Sequence, residues 1–223
     1  MDAKKETQRI EAFSDGVYAI AITLLVLELK PAIDKALPQA HDSLFGAMWL
    51  QWPLLAAFVT SFATIGIMWV NHHRLFNLIT HSNHLLLILN LLLLFAVTVV
   101  PFPTALLGEH SSNSELLREA TLMYSGTFLL AAVAYNVLWH YATHDGRLLD
   151  KDVDMQTVKR IDRQYWAGPV FYFIALILAW FSPAVSLGLN ALLAAFFLLP
   201  GVNLTRQGRH QRVPSEVSQE AVE

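Results

Sequence analysis

The sequence predicts an all-α, polytopic membrane protein with six transmembrane helices, and three observations carry that prediction. Of 223 residues, 55% are hydrophobic and only 15% charged, with a mean hydropathy of +0.43; this is more apolar than an ordinary globular chain. Six apolar stretches lie at about residues 13–29, 45–70, 85–107, 116–141, 165–181 and 183–202, each at or near the length that crosses a bilayer as a helix. The basic residues are the third observation. If six helices alternate, twelve of the 15 Lys and Arg residues fall on one side and only Lys30, Lys35 and Arg118 on the other. The positive-inside rule then places both termini in the cytoplasm, in a multi-pass protein of the cell membrane.

The first helix is unusual. Only twelve uncharged residues, Gly16 to Leu27, separate Asp15 from Glu28. At about 1.5 Å per residue they cover roughly 18 Å of a hydrocarbon core about 30 Å thick. One or both carboxylates therefore sit at membrane depth, which is costly unless they face a partner, the bundle interior or water. This helix is expected to be wrapped by others and to line something wet. Ile20, Thr23, Leu24 and Leu27 fall at i, i+3, i+4 and i+7 on one face, and Gly16 extends the stripe by a turn. An ordinary packing stripe has the same periodicity. The bracketing carboxylates, Asp15 and Glu28 at the mouth, are what an apolar-walled cation pathway has. Asp15 is read as lying at the helix start, where a carboxylate suits free N–H groups and the helix dipole.

The second stretch ends in Trp69-Val-Asn71-His72-His73-Arg74, and His81 and His84 precede the third. Four histidines within thirteen residues invite a metal, but no carboxylate lies among them and no zinc spacing is met. No metal site is expected. A polar network from Trp69 and His72 or His73 to Asp15 or Arg9 is expected instead, since all lie near one membrane face. Asn90, Asn136, Asn190, Thr60, Ser61 and Thr64 read as interhelical glue, and Pro53, Pro101, Pro103 and Pro183 as span ends or kinks. Glu109 and Glu115 make the far face mildly acidic. Residues 1–205 read as one six-span domain, and 206–223 as a polar cytosolic tail expected to be disordered.

Several functions find no support in the residues. There is no Cys, hence no disulfide or thiol chemistry. Ser14-Asp15 beside His72 lacks a Gly-x-Ser-x-Gly elbow, so an enzyme is not expected. No Thr-Val-Gly-Tyr-Gly filter or arginine-rich voltage sensor is present, and no internal duplication suggests an inverted-repeat transporter. Asp15 interrupts what would be a signal peptide. The net charge of −3 identifies no partner, and no nucleic acid is expected; the bilayer is.

Arg9-x-x-x-Phe13-Ser14-Asp15, followed by Ala-Ile-x-x-Thr23-Leu-Leu-x-Leu27, closely resembles the first-helix signature of the transmembrane protein 175 family, the endosomal and lysosomal potassium channels and their prokaryotic relatives. The Trp69 to Arg74 segment is similar as well. The resemblance implies a channel without a P-loop, in which helix 1 of each repeat lines a central pore. Animal members carry two repeats and dimerise, so one repeat here implies a homotetramer. It further implies that Ile20 is the hydrophobic constriction, that Thr23 sets a hydroxyl near the ion path, and that Leu24 and Leu27 form outer apolar layers. Arg9, Ser14 and Asp15 would belong to the support of helix 1, with Trp69 and one of His72 and His73. The expected function is therefore a potassium-permeable cation channel with no cofactor, potassium ions being the permeant species. The rival readings are a secondary or proton-coupled transporter using Asp15 and His72, and a structural membrane subunit.

Overall fold

A computed structural model describes residues 3–111, 113–146, 148–149 and 153–198. The tail expected at 206–223, Arg147 and Lys151 lie outside the described residues, as does the end of the last expected span. The described chain is helical: α1 (Ala3–Leu27), α2 (Leu29–Ala36), α3 (Leu44–Leu50), α4 (Trp52–Phe76), α5 (His84–Val99), α6 (Pro101–Glu109), α7 (Ser114–Thr143), α8 (Met155–Phe181) and α9 (Pro183–Leu198). Among the described residues four stretches are long and apolar enough to cross a bilayer: Thr7–Ala40, Trp52–Phe76, His84–Glu109 and Ser114–Gly146. Tyr165–Phe181 and Pro183–Phe197 are shorter apolar helices.

Three helix limits differ from the sequence reading, each for a local reason. Helix α1 starts at Ala3, because 3–9 are mostly strong helix formers. Asp15 is therefore mid-helix, and the capping role expected for it does not hold. The stretch read as 45–70 is divided at Gln51, whose φ of −96° and ψ of 20° interrupt the helix before Pro53 opens α4. Pro101, at the start of α6, separates that helix from α5. It has no N–H for the Val97 carbonyl, which accepts from Val100 N at 3.2 Å instead. Side-chain caps start the others: Ser43 Oγ accepts from Gly46 N, Asn83 Oδ1 from Leu86 N, and Asn113 Oδ1 from Glu115 N and Leu116 N.

Helix α7 is the centre of the bundle and packs on α5, α6, α8 and α9. Ala120, Tyr124, Phe128, Ala131, Tyr135, Leu138 and Ala142 are buried at steps of three and four, the stripe of a helix enclosed by neighbours. In a bilayer the apolar effect does not hold helices together, so close packing and interhelical hydrogen bonds do. Two buried chains of donors supply the latter. Tyr124 Oη donates to Ser61 Oγ at 3.1 Å, Ser61 to Thr104 at 2.9 Å, and Thr104 to the Val100 carbonyl at 2.8 Å. Asn190 donates to Ser125 at 3.0 Å, Ser125 to Ser186 at 3.0 Å, and Ser186 to the Ala175 carbonyl at 2.7 Å. Pro169, inside α8, cannot donate to the Tyr165 carbonyl one turn back. Asn136 Nδ2 on α7 does so instead, at 3.0 Å.

The two ends of the bundle differ. At one end the N-terminal half of α1 meets the C-terminal end of α4, and the connection after α4 pairs with residues 148–149. Thr80 N donates to the Leu148 carbonyl at 2.9 Å, beside an antiparallel bridge between Ile79 and Leu149. The other end carries α2, α3 and the start of α7, where the Arg118 guanidinium lies 5.4 Å over the Trp180 ring. Lys30, which pairs with Asp34, and Lys35 belong to this second end.

Candidate functional site

The described chain holds α1 by one face only. Ser14, Tyr18, Ala21 and Leu25 are buried against the bundle, all four at 1% exposure or less. The opposite face is open: Phe13 is 57% exposed, Ile20 59%, Leu24 41% and Leu27 62%. Thr23 is exposed beside them, its hydroxyl donating back to the Ile20 carbonyl at 2.9 Å, so its oxygen lone pairs stay available. The Ile20, Thr23, Leu24 and Leu27 stripe is thus the face α1 does not use within its own bundle. Glu28 ends the stripe at the α1–α2 joint, exposed, and lines two clefts that Glu109 of α6 also lines.

Behind this face the support residues fall into three sets. Trp69 Nε1 on α4 donates to Asp15 Oδ1 at 2.8 Å, which gives the carboxylate a hydrogen-bond partner. With about 1.5 Å per residue, Trp69 lies roughly 26 Å along α4 from Trp52, close to a full hydrocarbon thickness. His72, 0% exposed, donates from Nε2 to Asn90 Oδ1 of α5 at 2.9 Å. Asn90 Nδ2 donates to Ser14 Oγ at 3.0 Å, and Ser14 to the Ile10 carbonyl at 2.8 Å. That directed chain ties α4, α5 and α1, and it requires the His72 proton on Nε2. Tyr18 and Phe76 enclose the imidazole, with ring centroids 5.5 and 4.4 Å away. His73 forms the third set, pairing with Glu11 at 2.5 Å and stacking on Trp69 at 6.4 Å.

Both histidines thus contact α1, by different routes, and neither pairs with Asp15. Arg9 is exposed on the wall of a cleft with Phe13, His84 and Leu87, and among the described residues no ion pair joins it to Asp15. Asn90 and Glu11 were not singled out for this cluster by sequence reasoning. An Asn inside the apolar run 85–107 was the available signal for the first. Among the described residues no group of three or more His, Cys, Asp or Glu is placed to hold a metal ion.

Known proteins are similar to this chain in sequence and in fold. The sequence pattern of the family described as "Endosomal/lysosomal potassium channel TMEM175" matches residues 9–101, which includes every residue of the three sets. A potassium channel of Chamaesiphon minutus is 45% identical over 88% of this chain and 95% of its own length. The chain belongs to the TMEM175 family. A potassium channel of Streptomyces collinus is 40% identical over 86% of this chain and 91% of its own length. The Gallus gallus relative, named an endosomal/lysosomal proton channel, is 32% identical over 86% of this chain but only 36% of its own length. The crystal structure titled as a lysosomal potassium-selective channel TMEM175 homolog from Chamaesiphon minutus superposes with a TM-score of 0.78. It is 44% identical and covers 87% of this chain and 97% of that one. Membership in a family of channels makes this a membrane protein and not an enzyme, as the residues suggested.

Proposed function

We propose that this TMEM175-family chain is the subunit of a homotetrameric, potassium-permeable cation channel whose pore is lined by α1. The observation that carries the reading is the open stripe on α1, in a chain matched almost end to end by bacterial relatives named potassium channels. A single α1 cannot enclose a path, whereas four copies about an axis can, through a contact that closes on itself. Ile20 then forms the dry neck, Thr23 follows with its hydroxyl, Leu24 and Leu27 make the outer layers, and Glu28 stands at the mouth. Arg9, Ser14, Asp15, Trp69, His72 and His73 hold α1 from behind. Residues 1–205 make up the six-span domain, with α8 and α9 as the last two spans and both termini in the cytoplasm.

The test is purified protein in liposomes under a potassium gradient and then a sodium gradient, with mass-resolved chromatography for the tetramer. Potassium flux exceeding sodium flux is expected, and equal leak with and without protein overturns the reading. Proton permeation is the second reading, favoured by the name of the Gallus gallus relative; a pH-sensitive dye inside the same liposomes separates it. Unitary current steps in planar bilayers exclude a carrier that alternates through Asp15 and His72.

A further inference from the structure

Ser43 to Asn71 is a run of 29 residues without Asp, Glu, Lys, Arg or His. As one straight helix it would measure about 44 Å, against a hydrocarbon core of about 30 Å. A run that long must tilt, deform the bilayer or break. It breaks: Gln51 leaves helical geometry and divides the run into α3 and α4. Helix α4, with 25 residues, already spans the core by itself at about 37 Å. The surplus, Leu44–Leu50, then lies at the far boundary from His73 and Arg74.

What this surplus exposes is not what water-facing segments carry. Phe45 is 86% exposed, Met48 41% and Trp49 78%, at i, i+3 and i+4 on one apolar face of α3, and Trp52, 61% exposed, follows at the opening of α4. The opposite side is fixed to protein. Ala47 is 0% exposed, and a Cβ on Gly46 would meet Ala40 Cβ at 3.1 Å. The exposed face continues into Val59 and Phe62 on α4, 62% and 49% exposed, which front the hydrocarbon in the reading above. Tryptophan and phenylalanine at such a boundary settle among lipid headgroups, with rings toward the acyl chains and the indole N–H wet.

We infer that α3 is an in-plane membrane anchor, its Phe45, Met48 and Trp49 face, with Trp52 beside it at the opening of α4, seated in the headgroup layer at the end of the bundle that carries α2. The occupant is lipid. Through α2, which packs on both α3 and α1, the anchor sets the height of the outer end of α1 in the bilayer.

The inference rests on the membrane-spanning reading, and the absence of Cys lets both be tested with single spin labels in liposomes. Labels at Phe45→Cys, Trp49→Cys, Phe62→Cys and Lys35→Cys are compared for relaxation by oxygen and by a water-soluble nickel chelate. Phe62→Cys should read deepest, Phe45→Cys and Trp49→Cys at headgroup depth, and Lys35→Cys in water. Phe45→Cys and Trp49→Cys as open to nickel as Lys35→Cys, with Phe62→Cys still deep, overturns the anchor alone. A water-exposed Phe62→Cys overturns the spanning reading. Spin–spin broadening at Phe45→Cys or Trp49→Cys, absent on dilution with unlabelled chains, shows a second copy as the occupant and overturns the inference.

Discussion

Asn90→Leu removes the middle of the chain that ties α1 to α4 and α5 while nearly keeping side-chain size. Two interhelical hydrogen bonds are lost, to His72 at 2.9 Å and to Ser14 at 3.0 Å. In membrane proteins each contributes about 0.6 kcal/mol on average and up to about 1.7. The His72 N–H is then left unpaired at a site with 0% exposure, which costs a further ~1–3 kcal/mol. The total is about 2–6 kcal/mol, or a lowering of Tm by roughly 4–25 °C for a chain of this size. The assay is the fraction of folded protein surviving a heating series in detergent. Thr60→Val serves as the control, since Thr60 is only half-buried and its hydroxyl bonds within its own helix, to the Ala56 carbonyl. If Asn90→Leu melts together with the parent and with Thr60→Val, the chain from His72 to Ile10 does not hold α1, and the reasoning fails.

Ile20→Asn should raise unitary conductance and blunt the preference for potassium over sodium, whereas Leu25→Ala, 1% exposed on the buried face, should cost ~2–5 kcal/mol of stability and leave conduction unchanged; equal effects on conductance at both positions would refute the face assignment. Gly108→Ala places a Cβ 2.7–2.9 Å from Leu54 atoms and should destabilise by about 1–3 kcal/mol, with Leu54→Ala relieving the overlap in the double variant's melting curve. Asn136→Ala strips the Tyr165 carbonyl of its donor, and Pro169→Ala returns a backbone N–H to it. A double-mutant cycle on Tm should therefore show the pair losing less than the sum of the singles by ~0.5–3 kcal/mol. Asp15→Asn keeps an acceptor for Trp69 but loses the charge, so stability or open probability should fall while the reversal potential in mixed potassium and sodium stays put; a shifted reversal potential would place Asp15 in the ion path.

Periodicity was a good guide on α1. The spacing of Ile20, Thr23, Leu24 and Leu27 picked the face that the bundle leaves open, and the cost of an intramembrane carboxylate pointed to a partner for Asp15 that proved to be Trp69. The partners of the histidines were not legible. A lone Asn in an apolar run says that position 90 is buried and bonded, but not to which helix. Nor does Glu11, four residues before Asp15, announce a pairing with His73 across 62 residues of chain. The break at Gln51 was hidden for another reason. Hydropathy is continuous through it, and only the excess of the run over the bilayer thickness signals that something must bend. The start of α1 was misplaced because polar helix formers before Phe13 look the same whether they continue a helix or precede it.

The position of the His72, Asn90 and Ser14 chain in the sequence sets an order of events during synthesis. All its members, and Asp15 with Trp69, lie within the first 90 residues. The clasp of Thr80 on Leu148 needs nearly 60 residues more. At about 5–20 residues per second the ribosome leaves an interval of several seconds between the two. Through that interval the His72, Asn90 and Ser14 chain and the Trp69–Asp15 bond already have all their members, while Ser61 on α4 still lacks the partners on α6 and α7 that it bonds in the finished fold. Variants that weaken that chain should therefore be caught by membrane proteolysis as nascent fragments, before any finished subunit exists to assemble.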